Sequence, residues 1–280
     1  VKRIPPKYTQ IAAVAILGTA TLFTLAVLVF VVFFVLEKGL RVVSWSFLFS
    51  NPRDMGRAGG IFPTLVGSVL LPLVALVIAV PLGVGTAVYL TEYTRETRLT
   101  RLIRFGTDCL AGIPSIIFGL FGFILFVTML GMGWSLLSGG LTLAIMILPT
   151  IIRTSEEAIL AVPHSYREVS FSLGATRWET VAKVVLPNAL PGIVTGVMLG
   201  IGRAIGETAA VIFTAGSSLR LPNSLFDPVR TMSVHFYILA REGISAEYAY
   251  GTAAVLVLSV LTVNLAAYWT MHRVIARRQR

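Results

Sequence analysis

The sequence predicts an all-α, polytopic membrane protein: one transmembrane domain over residues 1–280, built as a bundle of six helical spans. Three observations carry this. Of the 280 residues, 56% are hydrophobic and 13% are charged, whereas a soluble domain carries about 25% charged residues; too little polar surface remains to coat a water-soluble fold. Charge-free runs recur at lengths suited to a hydrocarbon core about 30 Å thick, which takes about 20 apolar residues to cross. The basic residues are divided unevenly between alternate loops.

The runs place the spans. Ile11 to Leu36 is uncharged and is read as an uncleaved first helix, because its apolar stretch is too long for a signal peptide and no small-residue cleavage site precedes Glu37 and Lys38. Ala58 to Thr91 holds a second span near 64–90, with Pro63, Pro72 and Pro81 expected to kink it. Cys109 to Ile152 holds two, near 110–130 and 136–152, divided by the Gly131-Met-Gly-Trp-Ser135 turn. A fifth, near 192–213, is interrupted by Arg203 and Glu207, and the sixth lies near 249–271. Gly192, Gly196 and Gly200 recur every four residues, a small-residue ridge that lets helix backbones approach closely. Trp45, Trp134 and Trp269 fit membrane interfaces. Cys109, the single cysteine, excludes an intrachain disulfide and is assigned to packing.

The net charge of +10 has the distribution of a topogenic signal, not of a nucleic-acid footprint. The N-terminus, the 91–107 and 153–187 loops and the C-terminus together hold fifteen Lys and Arg residues, against seven in the 37–63 and 214–247 loops. The positive-inside rule then puts both termini in the cytoplasm, with Arg95, Arg98, Arg101 and Arg104 beside the membrane. Catalytic signatures are absent. There is no G-x-x-x-x-G-K-[ST] loop, no G-x-S-x-G elbow, and His164, His235 and His272 stand far apart with no metal-ligand spacing.

Residues 153–191 form the longest polar segment on the predicted inner side. Ser165-Tyr-Arg-Glu168 and Thr176-Arg-Trp-Glu179 both fit a capping box. Gly174 supplies a left-handed helix end, and Pro187 is expected to close the second helix. Two short helices around a Gly174-Ala175 turn follow. They fit an amphipathic pair on the membrane surface or a docking element for another subunit, and the local chemistry leaves both open.

The detailed spacing resembles something more specific. Glu168-Val-Ser, three residues, Gly174, nine residues, then Val184-Val-Leu186-Pro187 is similar to the cytoplasmic EAA loop of ABC importer permeases, with Val169, Ser170 and Val184 replacing Ala, Ala and Ile. Further stretches resemble phosphate permeases of the PstA type. They are Gly59-Gly-Ile-Phe-Pro63, Pro81-Leu-Gly-Val-Gly85, Tyr89-Leu-Thr-Glu-Tyr93, Gly112-Ile-Pro-Ser-Ile-Ile-Phe-Gly-Leu-Phe-Gly122, Leu148-Pro-Thr-Ile-Ile-Arg-Thr-Ser-Glu-Glu157, Leu173-Gly-Ala-Thr-Arg-Trp178 and Gly200-Ile-Gly-Arg-Ala-Ile-Gly-Glu-Thr208. The resemblance implies the type I importer (MetI-like) permease fold in a prokaryotic cytoplasmic membrane, with no cofactor on this chain. ATP and Mg²⁺ would be held by two copies of an ATPase subunit, contacted through Glu168, Leu173, Gly174, Ala175, Thr176, Leu186 and Pro187. A homologous PstC-type permease and an external phosphate-binding protein would complete the system.

Charges inside the spans give candidate pathway residues. Arg203 lies 12 residues beyond Pro191, about 18 Å along a helix and near mid-membrane. A buried arginine there costs at least about 2.5–3.5 kcal/mol. Glu207, one turn on, is expected to partner it, either as a structural ion pair or as part of a phosphate site in which the guanidinium fork meets the oxyanion. Arg153 and Glu156 close the fourth span and join Arg203 and Glu207 as pathway candidates, with Arg153 equally suited to interfacial snorkelling. Glu92 and Asp108 are read as interfacial or capping residues. A permease for sulfate or molybdate is the near alternative; an ATP-independent channel or secondary transporter is the more distant one.

Overall fold

The structure, a computed structural model, describes residues 6–278. Helix α1 (Pro6–Leu40) leads through α2 (Trp45–Phe49) and a two-residue hairpin, β1 (Pro52–Arg53) antiparallel to β2 (Ala58–Gly59), into α3 (Phe62–Val88). A π-helical turn, Tyr89–Tyr93, extends α3. Then follow α4 (Arg98–Ala111), α5 (Ser115–Gly122) with a π-helical continuation to Met129, and α6 (Leu136–Leu160). The short α7 (His164–Ser172) and α8 (Arg177–Thr180) precede α9 (Leu186–Gly206), and α10 (Ala209–Thr214), α11 (Met232–Arg241) and α12 (Ala246–Arg278) complete the order.

Among the described residues, five helical stretches are long and apolar enough to cross a membrane, and the α4–α5 pair makes a sixth if it is counted as one broken span. The all-α bundle is therefore as the composition requires, and the protein is a multi-pass membrane protein. Three boundaries differ from expectation. The third span does not run straight from residue 110: α4 and the Ser115–Met129 stretch meet at 103°. Pro114, extended at ψ 140°, has no amide proton and disfavours helical geometry in the residue before it, so the helix stops there. The fourth span continues beyond 152 to Leu160. The fifth begins well before 192, because Pro187 does not end a helix. A π-helical turn, Val181–Val185, joins α8 to α9 without a break; its wider i→i+5 pairing leaves a carbonyl unmatched, and a residue lacking N–H fits there.

The core lies between α3, α6 and α9, with α3 and α6 forming the largest helix pair. Leu71, Leu143, Ile147 and Ile151 are fully buried at its centre. The glycine ridge works by contact: a Cβ on Gly192 would lie 2.5 Å from Ala158 Cβ, and one on Gly196 would lie 2.7 Å from Thr154 Cβ. No bulkier residue would let α6 and α9 come this close. Hydroxyls inside the bundle turn back on their own helices, as Ser68 to Thr64 O, Thr142 to Ser138 O and Thr214 to Ala210 O, which satisfies them where no water is present. Helix α1 has none of its apolar window buried and touches the rest mainly along α12, as expected of a helix whose solvent is lipid. Cys109 is exposed on α4, not packed as anticipated, because the buried side of that helix carries Thr100, Ile103, Arg104 and Thr107.

Candidate translocation residues and coupling loop

Arg203 and Glu207 do not meet as an i,i+4 pair. Helix α9 stops at Gly206, and Glu207 has an extended ψ of 132°. Its Oε1 accepts instead from the backbone N–H of Thr208 at 3.1 Å and of Ala210 at 3.2 Å, capping α10. The side chain satisfies amides freed by the break, which outcompetes an ion pair with the wrong polarity for the helix dipole. The break is fixed from the opposite side by Ser233 on α11, whose hydroxyl donates to Glu207 O at 2.7 Å. Arg203 is half-buried and makes no hydrogen bond or ion pair among the described residues. Beside it, Gly202 and Gly206 face open space: a Cβ added to either would meet nothing within 4 Å. The result is a lone guanidinium next to bare backbone at a helix break.

Arg153 and Glu156 part company as well. Glu156 is buried and pairs with Arg104 of α4, at 2.6 Å to Nη2 and 2.7 Å to Nε. Arg153 is half-exposed and bridges Glu157 at 3.1 Å and Asp108 at 3.4 Å. Asp108 is thus a partner in an ion pair and not a cap. Two carboxylate–arginine contacts tie α4 to α6 just where α4 turns away from α5. Gly196 on α9 is level with Thr154 on α6, so Arg203 sits about 10 Å further from this end.

The candidate coupling loop is more fully helical than a loop. Its first half forms α7, but Ser165 and Glu168 make no capping box. The helix starts two residues earlier, with Pro163 at the cap position, leaving Ser165 inside the first turn, and Glu168 pairs with His164 Nδ1 at 3.2 Å. Gly174, at φ +83°, ends α7 with paired bonds: Gly174 N donates to Phe171 O at 2.9 Å and Ala175 N to Ser170 O at 3.2 Å, the Schellman arrangement that favours glycine. The second capping box is complete, with Glu179 N donating to Thr176 Oγ1 at 3.3 Å and Thr176 N to Glu179 Oε2 at 3.0 Å. Leu173 projects almost fully into the open at 82% exposure. Leu186 packs inward with Ala87, Ile159 and Val185.

The strongest contact in the region has no counterpart in any sequence pattern. Arg167 donates to Glu92 from Nη2 at 2.6 Å and from Nε at 3.0 Å. Nη1 donates to Val162 O at 2.8 Å and Nη2 also to Ile159 O at 3.0 Å, the first just beyond the end of α6 and the second in its last turn. Both side chains are about nine-tenths buried, at 11% and 10% exposure. Glu92 therefore joins a buried network and is not an interfacial cap. A pairing of residues 75 positions apart leaves no trace in local spacing. Beside it opens a cavity of about 410 Å³, lined by Thr91, Glu92, His164, Arg167, Phe171 and Arg177.

Residues 79–280 match the family of binding-protein-dependent transport system inner membrane components. The chain belongs to this family. Among its relatives, the phosphate transport system permease protein PstA 1 of Mycobacterium tuberculosis is 36% identical over 94% of this chain and 88% of its own length. A probable ABC transporter permease protein of Bacillus subtilis is 35% identical over 94% and 95%, and the PstA protein of Pasteurella multocida 32% identical over 89% of each. These bear out the resemblance to the PstA type. The fold is shared with solved ABC importers: a chain of a bacterial transporter for the acidic polysaccharide alginate aligns with a TM-score of 0.69 over 96% of this chain and 99% of that one, at 14% identity. A chain of the MetNI methionine transporter aligns at 0.61 over 77% and 94%, at 24% identity. The MetI-like permease fold follows.

Proposed function

We propose that this chain is the permease subunit of an ATP-driven phosphate importer. It forms half of a translocation pathway in a prokaryotic cytoplasmic membrane, with the 161–187 end in the cytoplasm and the β1–β2 hairpin and α11 outside. The observation that carries the substrate is Arg203: a guanidinium in the last turn of α9, at the helix break, with no carboxylate paired to it among the described residues and with open backbone at Gly202 and Gly206. A tetrahedral oxyanion matches its planar fork of donors. Relatives named as phosphate permeases support the same reading. Glu207, holding the helix break, positions this guanidinium without quenching it. Arg153 and Glu156 set the width of the inner end through their ties to α4.

The exposed face of α7, with Glu168 and Leu173, and the Gly174–Thr176 turn present a docking surface for an ATPase subunit. ATP and Mg²⁺ belong to that subunit, and this chain performs no catalysis. A homologous PstC-type permease, two ATPase copies and an external phosphate-binding protein complete the machine. Phosphate uptake into vesicles, with sulfate and molybdate as competitors, tests the substrate. Uptake should be competed by neither anion and should fall at least about tenfold, the lower end of losing a charged anion contact, in Arg203→Gln. Normal transport by that variant would remove Arg203 from the pathway.

A further inference from the structure

Helix α7, the proposed coupling helix, meets the membrane helices at two places. Of its side chains only Ser170 and Arg167 are buried, and the Ser170 hydroxyl bonds Thr180 at 2.8 Å, on the α8 segment that runs unbroken into α9. Tyr166, Val169, Phe171 and Leu173 are all exposed. The link from α7 to α3 and α6 is Arg167. One guanidinium holds the carboxylate at the end of α3, the Ile159 carbonyl in the last turn of α6 and the Val162 carbonyl just beyond it at once. A planar group with five fixed donors has no freedom left when its protons are so committed. Since α3 and α6 form the largest helix pair in the molecule, a displacement of α7 that reaches Arg167 must move both together.

We infer that the Arg167–Glu92 pair is the rigid joint through which motion of the coupling helix reaches the pathway. This deepens the proposed coupling role and rests on it. The path continues along α6 to Glu156 and from there through Arg104 to α4. Neither residue touches the transported anion or ATP; both are positioning residues that act through α3 and α6. Glu92→Gln keeps the shape of the joint and removes its charge, leaving Arg167 on the α6 carbonyls but loosened from α3. The ATPase-facing surface of α7 is untouched by this change.

The test uses the assembled transporter with its ATPase subunits. Spin labels at two exposed positions, Ser165→Cys on α7 and Tyr89→Cys at the end of α3, with Cys109→Ser to leave no other thiol on this chain, report the distance across the joint. The expected result is one narrow distance, the same with and without ATP, in the otherwise unaltered protein, and a broad, nucleotide-dependent one in Glu92→Gln. In proteoliposomes the same variant should still bind the ATPase subunit, while the ATP hydrolysed per anion imported rises about tenfold, within the usual 5–150-fold range of coupling between sites. A merely structural pair would instead lower hydrolysis and import in proportion, and that outcome overturns the joint. So does a distance that changes with ATP in the unaltered joint. If Glu92→Gln fails to assemble, Glu92→Cys with Arg167→Cys, in the Cys109→Ser background and bridged by a short thiol cross-linker, replaces the ion pair covalently. Coupling must return on bridging, and its failure to return refutes the inference. The distance measurement needs no phosphate, so a wrong substrate would sink the transport reading and leave the joint standing.

Discussion

Gly196→Ala should damage this protein far more than Gly202→Ala, although both add one methyl to the same helix. At Gly196 the new Cβ would collide with Thr154 Oγ1 and lie 2.7 Å from Thr154 Cβ, against the 3.4 Å of ordinary contact. Thr154 cannot swing aside cheaply, because its hydroxyl donates to Thr150 O at 2.8 Å. Helices α6 and α9 must then part locally by at least 0.7 Å, the shortfall between those two distances. Overpacking of this kind costs about 1–3 kcal/mol. At Gly202 nothing lies within 4 Å, and alanine's better helix propensity contributes up to about 1 kcal/mol of stability. That propensity gain is common to both positions, so the two variants should differ by about 1–3 kcal/mol, the overpacking cost. Thermal unfolding of the solubilised protein measures this, and phosphate uptake follows the consequence for Arg153, Glu156 and Arg203, which ride on the two separated helices. Adding Thr154→Ala to Gly196→Ala should recover part of the loss. Equal stability of the two single variants would refute the close approach of α6 and α9.

Other outcomes follow from the same geometry. Glu156→Gln leaves the partly exposed Arg104 with only Glu96, at 3.5 Å, and should cost about 1–3 kcal/mol, as weakening a charged hydrogen bond does; Arg153→Gln, on an exposed pair, should cost under about 1 kcal/mol on the same thermal scale. Gly174→Ala places a Cβ on a residue at φ +83° and should loosen the turn by about 1–2 kcal/mol, read as weaker copurification of the ATPase subunit with import reduced in step. His235, on α11 outside the spans, is fully buried with Nε2 unpartnered among the described residues. Burial first, and the nearby Arg230 charge second, push its pKa down from 6.5 to about 4. The unfolded chain takes up the proton near 6.5 and the folded protein only near 4, so stability should fall as pH drops through that window, by about 3 kcal/mol in total. Comparing thermal unfolding of the protein and of His235→Asn between pH 7.5 and 4 isolates this contribution; parallel curves would contradict it.

The membrane bundle was legible because lipid imposes a strong, local signature. Uncharged runs and alternate basic loops need no knowledge of tertiary contacts. The Gly174 turn and the Thr176–Glu179 box were legible for the same reason, since each is complete within four or five residues. Ser165 and Glu168 have an equally good spacing and failed, because Pro163 moved the helix start by two residues and the pattern cannot register that shift. Arg203 and Glu207 failed as a pair when Gly206 ended the helix between them. A four-residue spacing means proximity only while the helix continues. Arg104–Glu156 and Arg167–Glu92 were out of reach altogether. Their partners come from different helices, and charged residues near a membrane face look alike until the fold chooses between solvent and one another.

If this chain moves phosphate only as part of an ATP-driven assembly, reconstitution into proteoliposomes shows it, once with the chain alone and once with a partner permease, ATPase subunits and phosphate-binding protein. Phosphate accumulation should require ATP and every one of those subunits, and should fall at least about tenfold in Arg203→Gln. Phosphate flux through the purified chain alone, independent of ATP, would contradict it.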